Sequence, residues 1–91
     1  MIFQWDPTKA SANQQKHGVS FDEASLALLD PLGVTLPDPD HSLSEVRMIT
    51  IGCQPTGRLL AIAHTERGAA VRIISARKAT RDERSIYEEH P

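Results

Sequence analysis

Between residues 46 and 77 the chain holds three apolar-rich runs separated by two turn signals, and linkers this short leave little choice of fold. Gln54-Pro55-Thr56-Gly57 divides the first run (46–52) from the second (58–65), and Glu66-Arg67-Gly68-Ala69 divides the second from the third (70–77). Parallel neighbours need a crossover of about a dozen residues or more, so these runs pair as an antiparallel meander. If the last hairpin turns tightly around Arg67-Gly68, strict alternation puts Leu60, Ile62 and His64 on one face with Val71, Ile73, Ser75 and Arg77. Leu59, Ala61, Ala63 and Thr65 then share the other face with Arg72, Ile74, Ala76 and Lys78. Neither face is cleanly polar, so alternation does not say which one is core, and a shift of one residue would exchange them.

The flanks read as helices. Residues 2–5 form a short first strand, and Asp6-Pro7 then opens a helix. A carboxylate can cap free amide groups there, and proline suits the first helical position. The helix runs to about His17 and stops at Gly18, a residue that tolerates the left-handed conformation. Lys9, Asn13 and His17 recur every four residues, with Lys16 beside them, on a helix with almost no apolar face. That stripe is either solvated or turned toward a ligand. Ser20 with Glu23 is a capping-box pattern that opens a second, apolar helix over residues 21–29. A brief strand at 34–36 precedes a Pro- and Asp-rich loop, Pro37-Asp38-Pro39-Asp40-His41-Ser42. Asp38, Asp40 and His41 are metal-ligating types, but two prolines, and no glycine or glutamate at calcium-loop spacing, argue against that use. Thr80 with Glu83 is a second capping box and opens a final helix to about Glu89. The predicted class is α+β: a mainly antiparallel sheet with two N-terminal helices and one C-terminal helix.

A chain of 91 residues is expected to make one domain, residues 1–91, around a single modest core. It has no long apolar run that would span a membrane, and its N-terminus lacks the pattern of a secretory signal. The lone Cys53 has no internal partner, and the histidines at 17, 41, 64 and 90 are far apart, so no zinc site is expected. The cytoplasm is the expected compartment.

Charge is unevenly placed. The net charge is −2, yet residues 58–84 carry seven cations (Arg58, Arg67, Arg72, Arg77, Lys78, Arg81, Arg84) against Glu66, Asp82 and Glu83, a net +4. Residues 1–57 carry three cations against seven anions, a net −4. A basic segment in an acidic chain suits a local anionic partner such as phosphate, and arginine suits bidentate recognition of its oxygens. Charge alone fits a solvated strand and helix surface as well. His64, Glu66 and Arg67 gather where a strand meets a turn, Arg77 and Lys78 close the next strand, and Tyr87 lies on the final helix. These types can perform metal-free RNA cleavage: a base for the ribose 2′-hydroxyl, a cation for the phosphorane and an acid for the leaving 5′-oxygen. The same types also meet by chance on ordinary surfaces: a lone His64 is more often a strand-end surface residue, and Arg72 and Arg77 can equally pair with acids of neighbouring elements.

Phe3-Gln4-Trp5-Asp6-Pro7, Lys9-Ala10, Asn13, Lys16-His17-Gly18-Val19-Ser20-Phe21 and Glu23-Ala24 resemble the opening blocks of the BrnT toxins. Asp38-Pro39-Asp40-His41-Ser42, Glu45, Arg47, Ile49 and Gly52 are similar to their central segment. His64-Thr65-Glu66-Arg67-Gly68, the run Arg72 to Thr80, Glu83-Arg84 and Tyr87-Glu88 are similar to their closing blocks. The resemblance implies a RelE-like, type II toxin: a metal-independent endoribonuclease without cofactors that arrests translation. It also implies a BrnA-like antitoxin that joins the toxin and through which alone the toxin reaches operator DNA; an assembly with two copies of each chain is expected. Acidic antitoxin side chains are expected against Arg67, Arg72 or Arg77. Carried over by position, the resemblance points to Lys9, Lys16, His17, Glu66, Arg67, Arg72, Arg77 and Lys78. With the residue chemistry above, the expected catalytic set is His64, Glu66, Arg67, Arg77, Lys78 and Tyr87, with RNA bound by Lys9, Lys16, His17, Arg72, Arg81 and Arg84. One composite site is expected, on the last two strands and bordered by the first helix. The competing reading is a non-catalytic module that binds protein or nucleic acid through the same basic hairpin.

Overall fold

A computed structural model describes residues 1–41 and 45–89, without the side chain of His41. The element order is β1 (Ile2–Gln4), α1 (Pro7–His17), α2 (Phe21–Leu28), β2 (Val34–Pro37), a 3₁₀ turn (Pro39–His41), β3 (Met48–Cys53), β4 (Leu59–Arg67), β5 (Ala70–Lys78) and α3 (Arg81–Glu89). The strands form one five-stranded sheet in the order β1-β5-β4-β3-β2. Only the β1–β5 pair is parallel, so the α+β expectation holds, and Ser42 of the Pro/Asp-rich segment lies outside the described residues. No described helix is long and apolar enough to cross a membrane.

Local chemistry sets the helix ends. The Asp6 carboxylate accepts from the amides of Thr8 and Lys9, at 2.8 and 3.4 Å, and α1 closes at Gly18. The Ser20 hydroxyl accepts from the Glu23 amide at 3.1 Å. At α3 the box is reciprocal: the Thr80 amide donates to Glu83 at 2.9 Å and the Glu83 amide to the Thr80 hydroxyl at 3.2 Å. The β4–β5 hairpin turns on Gly68-Ala69, with Arg67 paired to Ala70. Gly68 alone has positive φ (60°), the pattern of a type II′ turn, whose twist matches that of the strands.

Helices α1 and α2 cover one face, burying Val19, Phe21, Ala24 and Ala27 against Leu60, Ile62, Ile73 and Ala76. Trp5 meets Phe21 edge to face, with ring centroids 6.0 Å apart. Gly52 lets α2 lie close to β3, because a Cβ at that position would run into the carbonyl of Ala27. On the opposite face α3 packs against β3, and Val34, Ile51 and Leu59 are buried there in a smaller layer.

The expected face assignment is correct only up to the middle of β5. His64 pairs with Ile73 but Ala63 pairs with Ser75, so Ile74 is an extra residue in a β-bulge. Val71 and Ile73 stay with His64, as alternation predicts. Beyond the bulge the phase reverses: Ala76 and Lys78 fall on the helix-bearing face, and Ser75 and Arg77 on the open one.

Candidate functional site

The open face carries a groove. Ile49 of β3, Ala61 and Ala63 of β4, and Ile74 and Ser75 of β5 line it, with Asp38, Arg47 and Arg77. Alanine and serine on the central strands leave a depression that encloses about 360 Å³ where larger side chains would fill it. The bulge puts Ile74 and Ser75 on the same side in succession, which widens the floor along β5. Asp38 follows β2 directly, and its amide donates to the Arg47 carbonyl at 3.0 Å, so these two residues are held side by side. Arg72, opposite Thr65 and Gln4, lies on the same face farther along β5.

Arg77 is held in a fixed orientation. Its Nη1 and Nη2 donate to the two carboxylate oxygens of Glu83 at 2.6 and 3.0 Å, and Nη1 also reaches the Lys78 carbonyl at 3.3 Å. Glu83 therefore caps α3 and orients the arginine at once. The hydrogen bond from Arg77 is the main reason the Glu83 carboxyl lies below its ordinary range, and the same bond raises Arg77. Arg77 keeps 38% of its side chain exposed, so part of the guanidinium remains available to a ligand.

The expected composite site is not assembled. His64 and Glu66 lie across the sheet, on the helix-bearing face, because Glu66 pairs with Val71 and His64 with the core residue Ile73. His64 is buried, its Nε2 is 2.7 Å from the Thr50 hydroxyl, and that oxygen is 2.8 Å from the Thr35 hydroxyl. Burial lowers the His64 pKa, only partly offset by the charge of Glu66, so the neutral ring is favoured. Lys78 is exposed at the end of β5, on the same side as Leu60. Arg67 makes a bidentate pair with Glu45, at 2.8 and 3.0 Å, beside the turn. Tyr87 donates to Asp30 at 2.6 Å, a bond that pushes the phenol up to about 12. Burial works to raise Asp30, but hydrogen bonds from Tyr87, Cys53 and Leu32 outweigh it and hold the carboxyl low.

The α1 stripe also has a different purpose. Asn13 is buried and bonded to β5, while Ala10 packs on the core, so α1 belongs to the helix-bearing side. Lys9 and Lys16 are exposed there and His17 is half-buried, all on the other side of the sheet from Arg77. Arg81 and Arg84 are exposed on α3. The groove thus groups Arg77 and, nearby, Arg72 with three residues absent from the expected set: Asp38, Arg47 and Ser75. A usable sequence signal was the alternation of Arg47, Ile49 and Ile51 opposite the small residues Ala61 and Ala63. Among the described residues, no three His, Cys, Asp or Glu side chains gather in a way that could hold a metal ion.

A family model described as "Ribonuclease toxin, BrnT, of type II toxin-antitoxin system" matches residues 5–83. The fold is similar to the 1.1 Å crystal structure of the Brucella abortus ribonuclease toxin BrnT, with a TM-score of 0.68. That match has 24% sequence identity and covers 89% of this chain and 100% of the other. Among curated proteins none matches significantly.

Proposed function

The chain belongs to the BrnT family of ribonuclease toxins of type II toxin–antitoxin systems, and from that premise we propose that it is an endoribonuclease whose substrate lies in the open-face groove. The observation that carries this reading is the pair Arg47 and Arg77 lining a depression floored by small side chains. Two guanidinium groups suit the oxygens of one phosphate, and the floor admits a ribose and base without an aromatic platform. Arg72 extends the positive surface along the strand for a neighbouring phosphate.

Cleavage follows from 2′-hydroxyl attack on the adjacent phosphorus. Asp38 is the carboxylate lining the groove, and it takes the 2′-hydroxyl proton as the new P–O bond forms. Arg47 and Arg77 meet the negative charge that builds on the phosphorane oxygens. Arg77 is already oriented by Glu83, which limits reorganisation at the moment of reaction. The 5′-oxygen leaves with a proton from solvent, leaving a 2′,3′-cyclic phosphate and a 5′-hydroxyl end. The arginines supply the charge stabilisation a metal would otherwise give, so the cleavage is metal-independent. The action belongs in the cytoplasm, where the RNA is, and a BrnA-like antitoxin neutralises it in an assembly with two copies of each chain.

The test is cleavage of a short RNA by the purified toxin, beside Arg47→Glu and Arg77→Glu. Loss of cleavage in both folded variants is expected. A folded wild-type toxin that leaves RNA intact, with and without ribosomes, would sink the enzymatic reading.

A further inference from the structure

The two faces of the sheet differ in charge as well as in cover. Helices α1 and α2 shield the half of their face that lies over Leu60, Ile62 and Ala76. Toward the β4–β5 turn a second groove opens between the end of α2 and the sheet, enclosing about 290 Å³. Leu28, Met48 and Val71 give it apolar walls, and Thr35, Thr50 and His64 also line it. Met48 and Glu66 continue into an adjoining hollow bordered by Val46, which is 72% exposed. Leu32, on the loop between two lining residues, Asp30 and Gly33, is 67% exposed. Leu32 and Val46 stand at opposite ends of the β2–β3 pair, so exposed apolar side chains flank the groove at both ends, and such surfaces suit a partner.

Its charge says which partner. No lysine or arginine lines either hollow, whereas Asp30, Glu45 and Glu66 do; Glu45 is already paired with Arg67, so Asp30 and Glu66 carry the uncompensated negative charge. RNA is repelled by such a rim, and a chain with basic side chains is drawn to it. A second copy of this toxin fits poorly, because its exposed Leu29 and Leu32 flank Asp30 and its exposed Val46 follows Glu45. His64 adds a specific feature: it is 9% exposed, one ring nitrogen is engaged by Thr50, and the buried Nδ1 has no partner among the described residues. A polar atom left this way is costly, so the fold by itself leaves the groove floor at His64 unsatisfied.

We infer that this acidic, apolar groove is the docking site for an apolar segment of the protein antitoxin that carries basic side chains. The inference rests on the toxin–antitoxin reading above and goes beyond it: the anchor lies across the sheet from the RNA groove. Anchoring and inhibition are then separable, and the antitoxin segment that covers Arg77 is a different one.

The experiment uses the toxin and the protein encoded by its neighbouring gene. Thr35→Lys with Met48→Lys puts two cations into the groove and leaves the RNA face untouched. Affinity by calorimetry is expected to weaken by about tenfold or more, the usual loss at an interface anchor, with RNA cleavage by the free toxin unchanged. An affinity unchanged within about twofold overturns the proposal. If the double variant does not fold, methyl NMR on the wild-type toxin decides. Titration with the antitoxin should shift the Met48, Leu28 and Val71 methyls. Shifts confined to Ile49, Ala63 and Ile74, on the open face, overturn the proposal. So do Met48 shifts that grow with toxin concentration alone. A wild-type toxin that binds its partner but never cleaves RNA would instead refute the ribonuclease mechanism and leave the docking result standing.

Discussion

Asn13 closes the outer edge of β5 at Ala76, a residue 63 positions away. The Asn13 amide donates to the Ala76 carbonyl at 2.8 Å, and its oxygen accepts from the Ala76 amide at 3.1 Å. Strand β1 pairs with β5 only as far as Arg72, so beyond that point the edge is unpaired and the carboxamide acts as one more strand residue. The same amide also donates to the Val19 carbonyl at 3.0 Å, fixing the α1–α2 turn.

Asn13→Ala should therefore be strongly destabilising. It leaves two backbone groups of β5 and one of the turn without partners, each worth about 1 kcal/mol or more when buried. A loss of roughly 2–4 kcal/mol is expected, read as a fall in Tm of about 10 °C or more. A Tm within about 2 °C of wild type would show that water replaces the amide at no cost.

Arg77→Glu should reduce RNA cleavage by about 10²–10³-fold, by analogy with loss of one oriented donor at a developing oxyanion. The fold should survive, since this partly exposed ion pair contributes little to stability. His64→Gln tests the other face and should keep most activity, because His64 is remote from the groove. Rates in the reverse order would place the chemistry on the helix-bearing side.

Acid should weaken the fold in two stages. His64 titrates below its ordinary 6.5 in the folded chain. The unfolded chain therefore takes up that proton first, and stability, full above that value, falls as pH drops below it. Glu83 and Asp30, held below their ordinary 4.5 and 3.8, add a second loss as pH falls further through their folded values. Urea midpoints at about pH 7.5 and about pH 5.5 isolate the first stage, and His64→Gln should narrow that difference. An equal difference in wild type and variant would mean that His64 is not the responsible group.

RNA cleavage should continue in excess EDTA and should leave 2′,3′-cyclic phosphate ends. Activity lost to EDTA and restored by a divalent ion would point to a metal, and to the acidic loop around Asp38 and Asp40 as the place to look.

The sequence by itself determined the elements whose causes are local. Asp6, Ser20 and Thr80 cap helices through atoms two or three residues away, and Gly68 turns a hairpin through its own φ. The meander and the α+β class follow from linkers too short for a crossover. Only the tertiary structure decided which face each strand residue serves. A single extra residue at Ile74 reverses the phase of β5, and a bulge comes from pairing with β4 that no pattern within β5 records. For that reason Arg77 leaves the face of His64, and Arg47, Asp38 and Ser75 take the places beside it. Asn13 and Tyr87 show the same division: polar residues on helix surfaces in the sequence, they are joined to Ala76 and Asp30, 63 and 57 residues away. Helix caps depend on near neighbours along the chain, whereas sites depend on strand register and packing, and these are fixed only when the whole sheet closes.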